Sequence, residues 1–157
     1  MIKRMLIFFF GLTLLFIPNL FAAGTVTITK EEIIIRHWPT RVILTIAWTA
    51  DSSDKSVPQT VINATQYKIN GYFLYSAETN PGSTAPTDDY DIAINDEDVC
   101  DIAGTLLNNR DTSNSEMVNF INASASYPMV RGNLTFVLTN NSVASATGSL
   151  ILIFIEN

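Results

Sequence analysis

The stretch from Tyr67 to Arg110 constrains the fold of this chain more than any other part, because strands and turns are specified together. Apolar residues alternate over Tyr67 to Ser76 and over Tyr90 to Asn95, and a period of two residues indicates β-strands. Between them, Thr79 to Asp88 contains two prolines and a Pro-Gly pair, which predicts a loop. An acidic hairpin tip and a short helical turn ending at Arg110 are expected next. Asn70-Gly71 offers an alternative, since this pair favours a tight turn that would split the first strand into a hairpin.

The remaining strand candidates show the same alternation, or runs of β-branched residues. They are Thr25 to Arg36, Arg41 to Ala50, Val57 to Thr65, Asn133 to Thr139 and Gly148 to Ile155. Pro58 makes Val57 to Thr65 an edge strand, because proline cannot donate to a β-ladder. Glu116 to Ser126 fits either a short helix or a loose strand. About seven or eight strands separated by turns predict an all-β fold, a single antiparallel β-sandwich.

The closing segment, Gly148 to Ile155, is apolar at both odd and even positions. A strand that faces water on one side alternates with polar residues, so this pattern predicts a central strand with both faces covered. One face is expected to lie in the core. The other is expected to be covered by a neighbouring subunit or by the N-terminal segment.

Residues 1–23 differ from the rest of the chain, because Lys3 and Arg4 precede an almost wholly apolar run from Met5 to Ile17. A basic start, an apolar run and small residues at its end are typical of a secretory signal peptide. Residues 1–23 are therefore predicted to direct export, and residues 24–157 to form the folded domain. An uncleaved membrane anchor is the alternative, since the segment approaches the roughly 20 apolar residues that span a bilayer.

The domain that follows is acidic. Removing Lys3 and Arg4 leaves seven basic and fifteen acidic residues, a net charge of −8. Nucleic acids require a basic surface, so DNA and RNA are not expected as partners. Contact with a membrane is expected only through the N-terminal segment, if it is retained. Cys100 is the single cysteine, and it is predicted to be a small buried apolar residue, because a disulfide framework needs an even number.

The acidic tip is the best candidate for chemistry. Asp96, Asp98 and Asp101 form a weak calcium-site candidate, because a hard cation relieves the repulsion between clustered carboxylates. The favoured alternative is a solvated tip whose Asp side chains accept hydrogen bonds from local backbone amides. No other metal site and no cofactor are expected. Motifs for nucleophilic catalysis, phosphate binding and zinc binding do not occur in the sequence, and His37 is the single histidine, so an enzyme is not expected.

Two further groups of side chains have alternative interpretations. Aromatic residues on the central strands are either core residues or a carbohydrate-stacking platform. These residues are Tyr67, Tyr72, Phe73, Tyr75 and Tyr90. Arg110 lies close in sequence to Asp101 and Asp111, so its guanidinium is predicted either to bridge the acidic tip to the following loop or to form an exposed surface pair.

The block from Asn70 to Ser113 resembles a segment that recurs in small all-β structural proteins of tailed bacteriophages. The matching residues are Pro81 to Asp88, Tyr90 to Ile92, Asp96 to Asp98, Asp101-Ile102 and Asn109 to Ser113. Ile46 to Asp51 is similar to a further motif of that family, and Val99 stands where the family has glycine. The resemblance implies a component of a phage particle with no enzymatic role, and it implies no ligand residues.

Together these features lead us to expect a non-enzymatic structural or assembly protein, most specifically a phage virion component such as a head decoration or fibre. Its expected partners are proteins, either further copies in a homo-oligomer or other particle proteins. The alternative is an exported bacterial surface adhesion or carbohydrate-binding β-sandwich, which the predicted signal peptide and the aromatic strands favour.

Overall fold

A computed structural model describes residues 23–34, 36–121 and 126–157, and these ranges contain eight β-strands and no helix. The strands are β1 (Thr25–Ile33), β2 (Arg41–Thr49), β3 (Thr60–Ile62), β4 (Phe73–Pro81), β5 (Asp91–Asn95), β6 (Glu116–Asn119), β7 (Leu134–Thr139) and β8 (Thr147–Ile155). The predicted all-β class is confirmed. The predicted signal peptide, residues 1–23, lies outside the described residues except for Ala23. Within the described ranges, no helix has the length and apolar character needed to cross a membrane.

The strands form two antiparallel sheets. The larger sheet has five strands in the order β1-β2-β8-β4-β6, and the smaller has three in the order β3-β7-β5. β8 lies at the centre of the larger sheet, where Leu152 pairs with Leu44 of β2 and with Ala77 of β4. The prediction that the closing strand is central is therefore confirmed. Its apolar side chains pack against cross-strand neighbours on two sides, and such pairs are what stabilise a sheet.

A single cluster of buried side chains, supplied by both sheets, forms the core. From β8 it contains Leu150, Leu152 and Phe154, each 0% exposed. From the smaller sheet it contains Ile62, Ile92, Ile94, Leu134, Phe136 and Leu138. The ring of Trp48 in β2 lies 6.0 Å from the ring of Tyr90, which directly precedes β5. Full burial of one large apolar side chain contributes about 1.5–3 kcal/mol, so this shared cluster holds the two sheets together.

The opposite surface of the larger sheet, which we call the outer face, is only partly buried. On β8 it presents Ile151, Ile153 and Ile155, all of intermediate exposure. The register places Ile43 of β2 beside Ile153 and Glu78 of β4 beside Ile151. The cover predicted for this face, a neighbouring subunit or the N-terminal segment, lies outside the described residues.

The first central strand is shorter than predicted, because residues 63–72 form turns instead. The backbone N–H of Tyr67 donates to the carbonyl oxygen of Asn63 at 3.0 Å. The Asn63 side chain caps the turn by accepting the Gln66 N–H at 2.9 Å. Gly71 has a φ of 84°, so Asn70-Gly71 does form a turn, but it joins no pair of hydrogen-bonded strands among the described residues. The predicted strand is wrong up to Tyr72, because local capping by Asn63 overrides the alternating pattern.

Other boundaries also differ from the predictions. β4 continues into the predicted loop as far as Pro81, which pairs with Gly148 at the strand end, where proline is tolerated. β3 is an edge strand of the smaller sheet, as predicted, but it spans only Thr60–Ile62. Glu116–Asn119 is a strand, so the strand alternative holds there. The helical turn predicted before Arg110 is a series of turns over residues 102–107, and it is not a helix.

Candidate functional site

The acidic tip, residues 96–101, follows β5 and is organised by its own carboxylates. The Oδ1 atom of Asp96 accepts the backbone N–H of Asp98 at 3.0 Å and that of Cys100 at 2.9 Å. The N–H of Val99 donates to the carbonyl oxygen of Asp96 at 3.1 Å. Aspartate side chains commonly cap tight turns in this way, and the bonds fix the backbone of the tip.

Asp101 closes the tip with three further bonds. Its Oδ1 atom accepts the N–H groups of Ile94 at 3.1 Å and Ala103 at 3.0 Å, and its Oδ2 atom accepts that of Thr105 at 2.9 Å. Across the described ranges, no three His, Cys, Asp or Glu side chains gather into a group that could hold a metal ion. The calcium candidate Asp96, Asp98 and Asp101 therefore gains no support from the geometry, and Asp96 and Asp101 serve as backbone caps.

Two apolar residues of the tip, Val99 and Cys100, are exposed. Val99 is 77% exposed and has a φ of 62°, a left-handed conformation that is unusual for a β-branched residue. Cys100 is also exposed, so the prediction of a buried cysteine is wrong. The Asp96 carboxylate draws the backbone of Cys100 around the tip, and a hairpin tip has no interior in which a side chain can be buried.

Glu97 ties the tip to the segment that precedes β7. Its Oε1 atom accepts the backbone N–H of Asn133 at 3.0 Å. Its carboxyl group lies against Gly132, where an added Cβ atom would come within 2.8 Å of the carboxyl carbon. A side chain at this position would therefore push aside the flexible end of Glu97. A cavity of about 190 Å³ lies between the tip and this segment.

This cavity, which we call the acidic groove, combines carboxylates with an apolar lining. Its lining residues are Asp96, Glu97, Asp98, Ile102, Met129, Arg131, Gly132 and Leu134. Ile102 also lines a neighbouring apolar cavity of about 340 Å³, together with Leu106 and Ile121, which are 45% and 50% exposed. Three carboxylates against one guanidinium give the groove a negative balance. Such a surface suits a partner that presents apolar side chains next to a positive charge.

The loop between β1 and β2 is a second exposed surface, of opposite charge. Ile34 is 75% exposed and Trp38 is 68% exposed, and Arg36 and His37 are exposed between them. We call Ile34, Arg36, His37 and Trp38 the basic loop. The two predicted strands, Thr25 to Arg36 and Arg41 to Ala50, imply a turn between them, but this exposed surface was not predicted. The sequence did contain a signal for it, because the large apolar residues Ile34 and Trp38 stand beside Arg36 at a predicted turn, where side chains are not expected to be buried.

The basic loop and the acidic groove lie at the same end of the molecule. Arg41, at the start of β2, pairs with Ile155, and Ile155 pairs with Phe73 of β4. Phe73 in turn forms a β-bridge with Met129, which lines the acidic groove. Adjacent strands are about 4.8 Å apart, so roughly 15 Å separates Arg41 from Met129 across these three pairings.

Arg110 makes contacts other than the predicted ones. Its Nε and Nη2 atoms donate to the carbonyl oxygen of Asn108 at 3.1 and 2.9 Å, and Nη1 lies 3.4 Å from Oε2 of Glu116. The predicted bridge to the acidic tip is therefore replaced by an ion pair with β6. A β-bridge between Arg110 and Tyr90 explains the difference, because it holds Arg110 near the start of β5 whereas the tip follows its end.

The aromatic residues are divided between core and surface. Tyr90 is fully buried, and burial raises the pKa of its hydroxyl, although Thr79 and Arg110 act in the opposite direction. Tyr67 and Tyr72 pack against the core cluster, and Phe73 is half-buried. Tyr75 is 37% exposed, and its ring lies 5.0 Å from that of Tyr127 at an angle of 45°. The five residues therefore do not make one platform, and Tyr75 is the exposed member of the set.

The geometry thus offers three surfaces for contact with other molecules: the outer face, the acidic groove and the basic loop. The outer face is broad and largely uncharged, whereas the other two are smaller and carry opposite charges. Comparisons of the chain with protein-family models, with curated proteins and with solved structures found no match.

Proposed function

We propose that this protein is a non-enzymatic structural component that works by assembling with other proteins. The observation that carries this proposal is the outer face of the larger sheet, where the central strand β8 presents Ile151, Ile153 and Ile155 at intermediate exposure. Water on one side of a sheet favours alternation with polar residues, and β8 does not alternate. Contact with another protein would remove these isoleucines from water, which is favourable in proportion to the apolar area buried.

The dimensions of the outer face suit a protein interface. Four of the five strands have nine residues and are each about 30 Å long, and side by side these four are about 19 Å wide, which together with the short β6 gives roughly 600 Å². A standard interface buries about 800 Å² on each partner. The paired registers place Glu31, Arg41 and Glu78 on this face among mainly Ile, Thr and Ser residues. Few charges would therefore have to be desolvated on association, although the chain as a whole is acidic.

The specific form of the proposal is a component of a bacteriophage particle, such as a head decoration or fibre. Its support is the resemblance of Asn70 to Ser113 to small all-β structural proteins of tailed phages. In this proposal the two sheets are the layers of a single β-sandwich, which the shared core cluster supports. Residues 1–23 act as an export signal, which their basic start and apolar run support.

Sedimentation velocity over a range of concentrations tests the assembly proposal. The full chain is expected to self-associate, and Ile153→Glu is expected to remove the association that depends on the outer face, because it places a charge at the centre of that face. Val61→Glu is the matched control, because Val61 is 60% exposed on the edge strand of the other sheet. Mass spectrometry of purified particles tests the phage form. A chain that stays monomeric at every concentration would contradict the assembly proposal. Its absence from purified particles would contradict the phage form.

A second function, an exported surface adhesion or carbohydrate-binding domain, is favoured by one specific observation. Tyr75 and Tyr127 form a ring pair with centroids 5.0 Å apart, and Tyr75 is 37% exposed. Exposed aromatic faces are suited to stacking on sugar rings. Binding on a glycan array that Tyr75→Ala abolishes, and that Met117→Ala leaves unchanged, would support this function over the first.

A further inference from the structure

The basic loop carries one formal positive charge, that of Arg36, on an acidic chain. Of the seven basic residues that follow residue 23, Arg36 lies within this loop and Arg41 lies just after it. Ile34 and Trp38 add two of the most exposed large apolar side chains among the described residues, at 75% and 68%. A tryptophan that remains this exposed does not contribute to the core, and exposed Trp and Arg are enriched at the centres of protein interfaces.

The acidic groove has the complementary chemistry. The Asp98 side chain is exposed at the groove, and this residue contributes to the tip through its backbone N–H. Ile102, Met129 and Leu134 supply an apolar lining beside it. Opposite charges next to apolar surface favour binding in one orientation, because the charges set the register while apolar contact provides the affinity.

We propose that two copies of this chain dock reciprocally, with the basic loop of each copy in the acidic groove of the other. The inference rests on the proposed assembly function and names a contact for it that is separate from the outer face. A two-fold axis makes each contact occur twice, and such dimers close on themselves. The loop and the groove lie at the same end of the molecule, so one axis at that end is able to bring both pairs together.

A second copy is the occupant that the charges favour. The chain carries a net charge of −6, so most of its surface repels another copy, whereas a contact between Arg36 and Asp98 attracts. The size of the contact predicts a weak, reversible dimer. One tryptophan buries about 150–250 Å², and two reciprocal contacts with their groove surfaces reach roughly 1,000 Å², the lower range for specific interfaces.

A charge-swap experiment tests this contact in the full chain. Arg36→Glu and Asp98→Lys are each expected to weaken dimerisation at least tenfold, because each homodimer then has two like-charge contacts. An equal mixture of the two variants is expected to dimerise as tightly as the original chain. In that heterodimer the introduced glutamate of one copy faces the introduced lysine of the other, and the second contact is the original Arg36–Asp98 pair.

Sedimentation equilibrium provides the dissociation constants. Tryptophan emission gives a second readout, since Trp38 is exposed in the monomer whereas Trp48 is 2% exposed, and docking should shift the Trp38 emission to shorter wavelength. Lys55→Glu and Asp89→Lys are matched controls. They change charge by the same amount, but Lys55 follows β2 and Asp89 precedes β5, at the opposite end of the strands.

The outcomes separate this inference from the proposed function. Rescue in the mixture supports reciprocal docking, because two misfolded variants cannot restore each other. If the chain associates but the mixture behaves like the single variants, docking of the loop in the groove is wrong while assembly through the outer face stands. If the chain stays monomeric at every concentration and Trp38 emission is constant, both proposals are wrong.

Discussion

Shortening the central strand's core side chain by Leu152→Ala should destabilise the protein far more than shortening its neighbour by Ile153→Ala. Leu152 is 0% exposed and lies between Leu44 and Ala77 on the adjacent strands. Ile153 points to the outer face and is only partly buried. The two positions are consecutive on one strand, so strand pairing and position along the sheet are nearly constant in the comparison.

The expected magnitudes follow from burial. Leu152→Ala loses the transfer free energy of the deleted carbon atoms and leaves a cavity, which together cost about 3 kcal/mol. Because the side chain is enclosed by residues of both sheets, collapse around the cavity is limited. Ile153→Ala in the monomer removes carbon atoms that already meet water in part, so its cost is about 1 kcal/mol. For a domain of this size, about 3 kcal/mol corresponds to a decrease in Tm of roughly 10 °C.

Urea unfolding followed by circular dichroism measures both free energies, first at a concentration where the chain is monomeric and then at a higher one. In the monomer, Leu152→Ala should cost about three times as much as Ile153→Ala. Partner binding stabilises by mass action, so the cost of Ile153→Ala should rise with concentration if the outer face is an interface. Equal costs in the monomer would refute the reasoning, because they would show that the outer face is as well buried as the core.

Three further perturbations test the remaining packing and electrostatics. Gly148→Ala should lower the free energy of unfolding by about 1–3 kcal/mol and alter the near-UV circular dichroism of Trp48, because the new Cβ atom would lie 2.5 Å from that ring. Asp101→Ala should cost about 1–3 kcal/mol in urea unfolding, since it leaves partly buried backbone N–H groups unpaired. Hydrogen bonds from the side chain and backbone of Ser53, and from the backbone of Asp54, hold the pKa of Asp51 below its ordinary value of 3.8. This depressed pKa contributes stability that is present above pH 3.8 and is lost as the pH falls through the folded-state pKa, so the stability difference between the protein and Asp51→Asn should disappear in acid unfolding at low pH.

Features that depend on residues close together in sequence could be predicted from the chain alone. The alternation in Arg41–Thr49 and Leu134–Thr139 identified β2 and β7, because side chains of a strand point to opposite faces with a period of two. The unbroken apolar run from Leu150 to Ile155 placed β8 at the centre of its sheet. Four of the five hydrogen bonds that the Asp96 and Asp101 side chains accept were also foreseeable, since they join residues two to four positions apart, whereas the bond from Ile94 to Asp101 spans seven positions.

Features that depend on contacts between distant residues were decided by the tertiary structure. Alternation from Tyr67 onward suggested a longer strand, but no strand among the described residues lies beside residues 63–72, so local turn bonds prevail there. Arg110 pairs with Glu116 because the β-bridge to Tyr90 fixes the position of Arg110. The prediction that Arg110 contacts the acidic tip was wrong because it relied on closeness in sequence. The proximity of the basic loop to the acidic groove depends on pairings between residues such as Arg41 and Ile155, which are far apart in the chain. A local sequence pattern determines which side chains lie on each face of a strand. The register between strands that are distant in sequence determines which surfaces lie next to each other. That register is fixed only when the whole core packs.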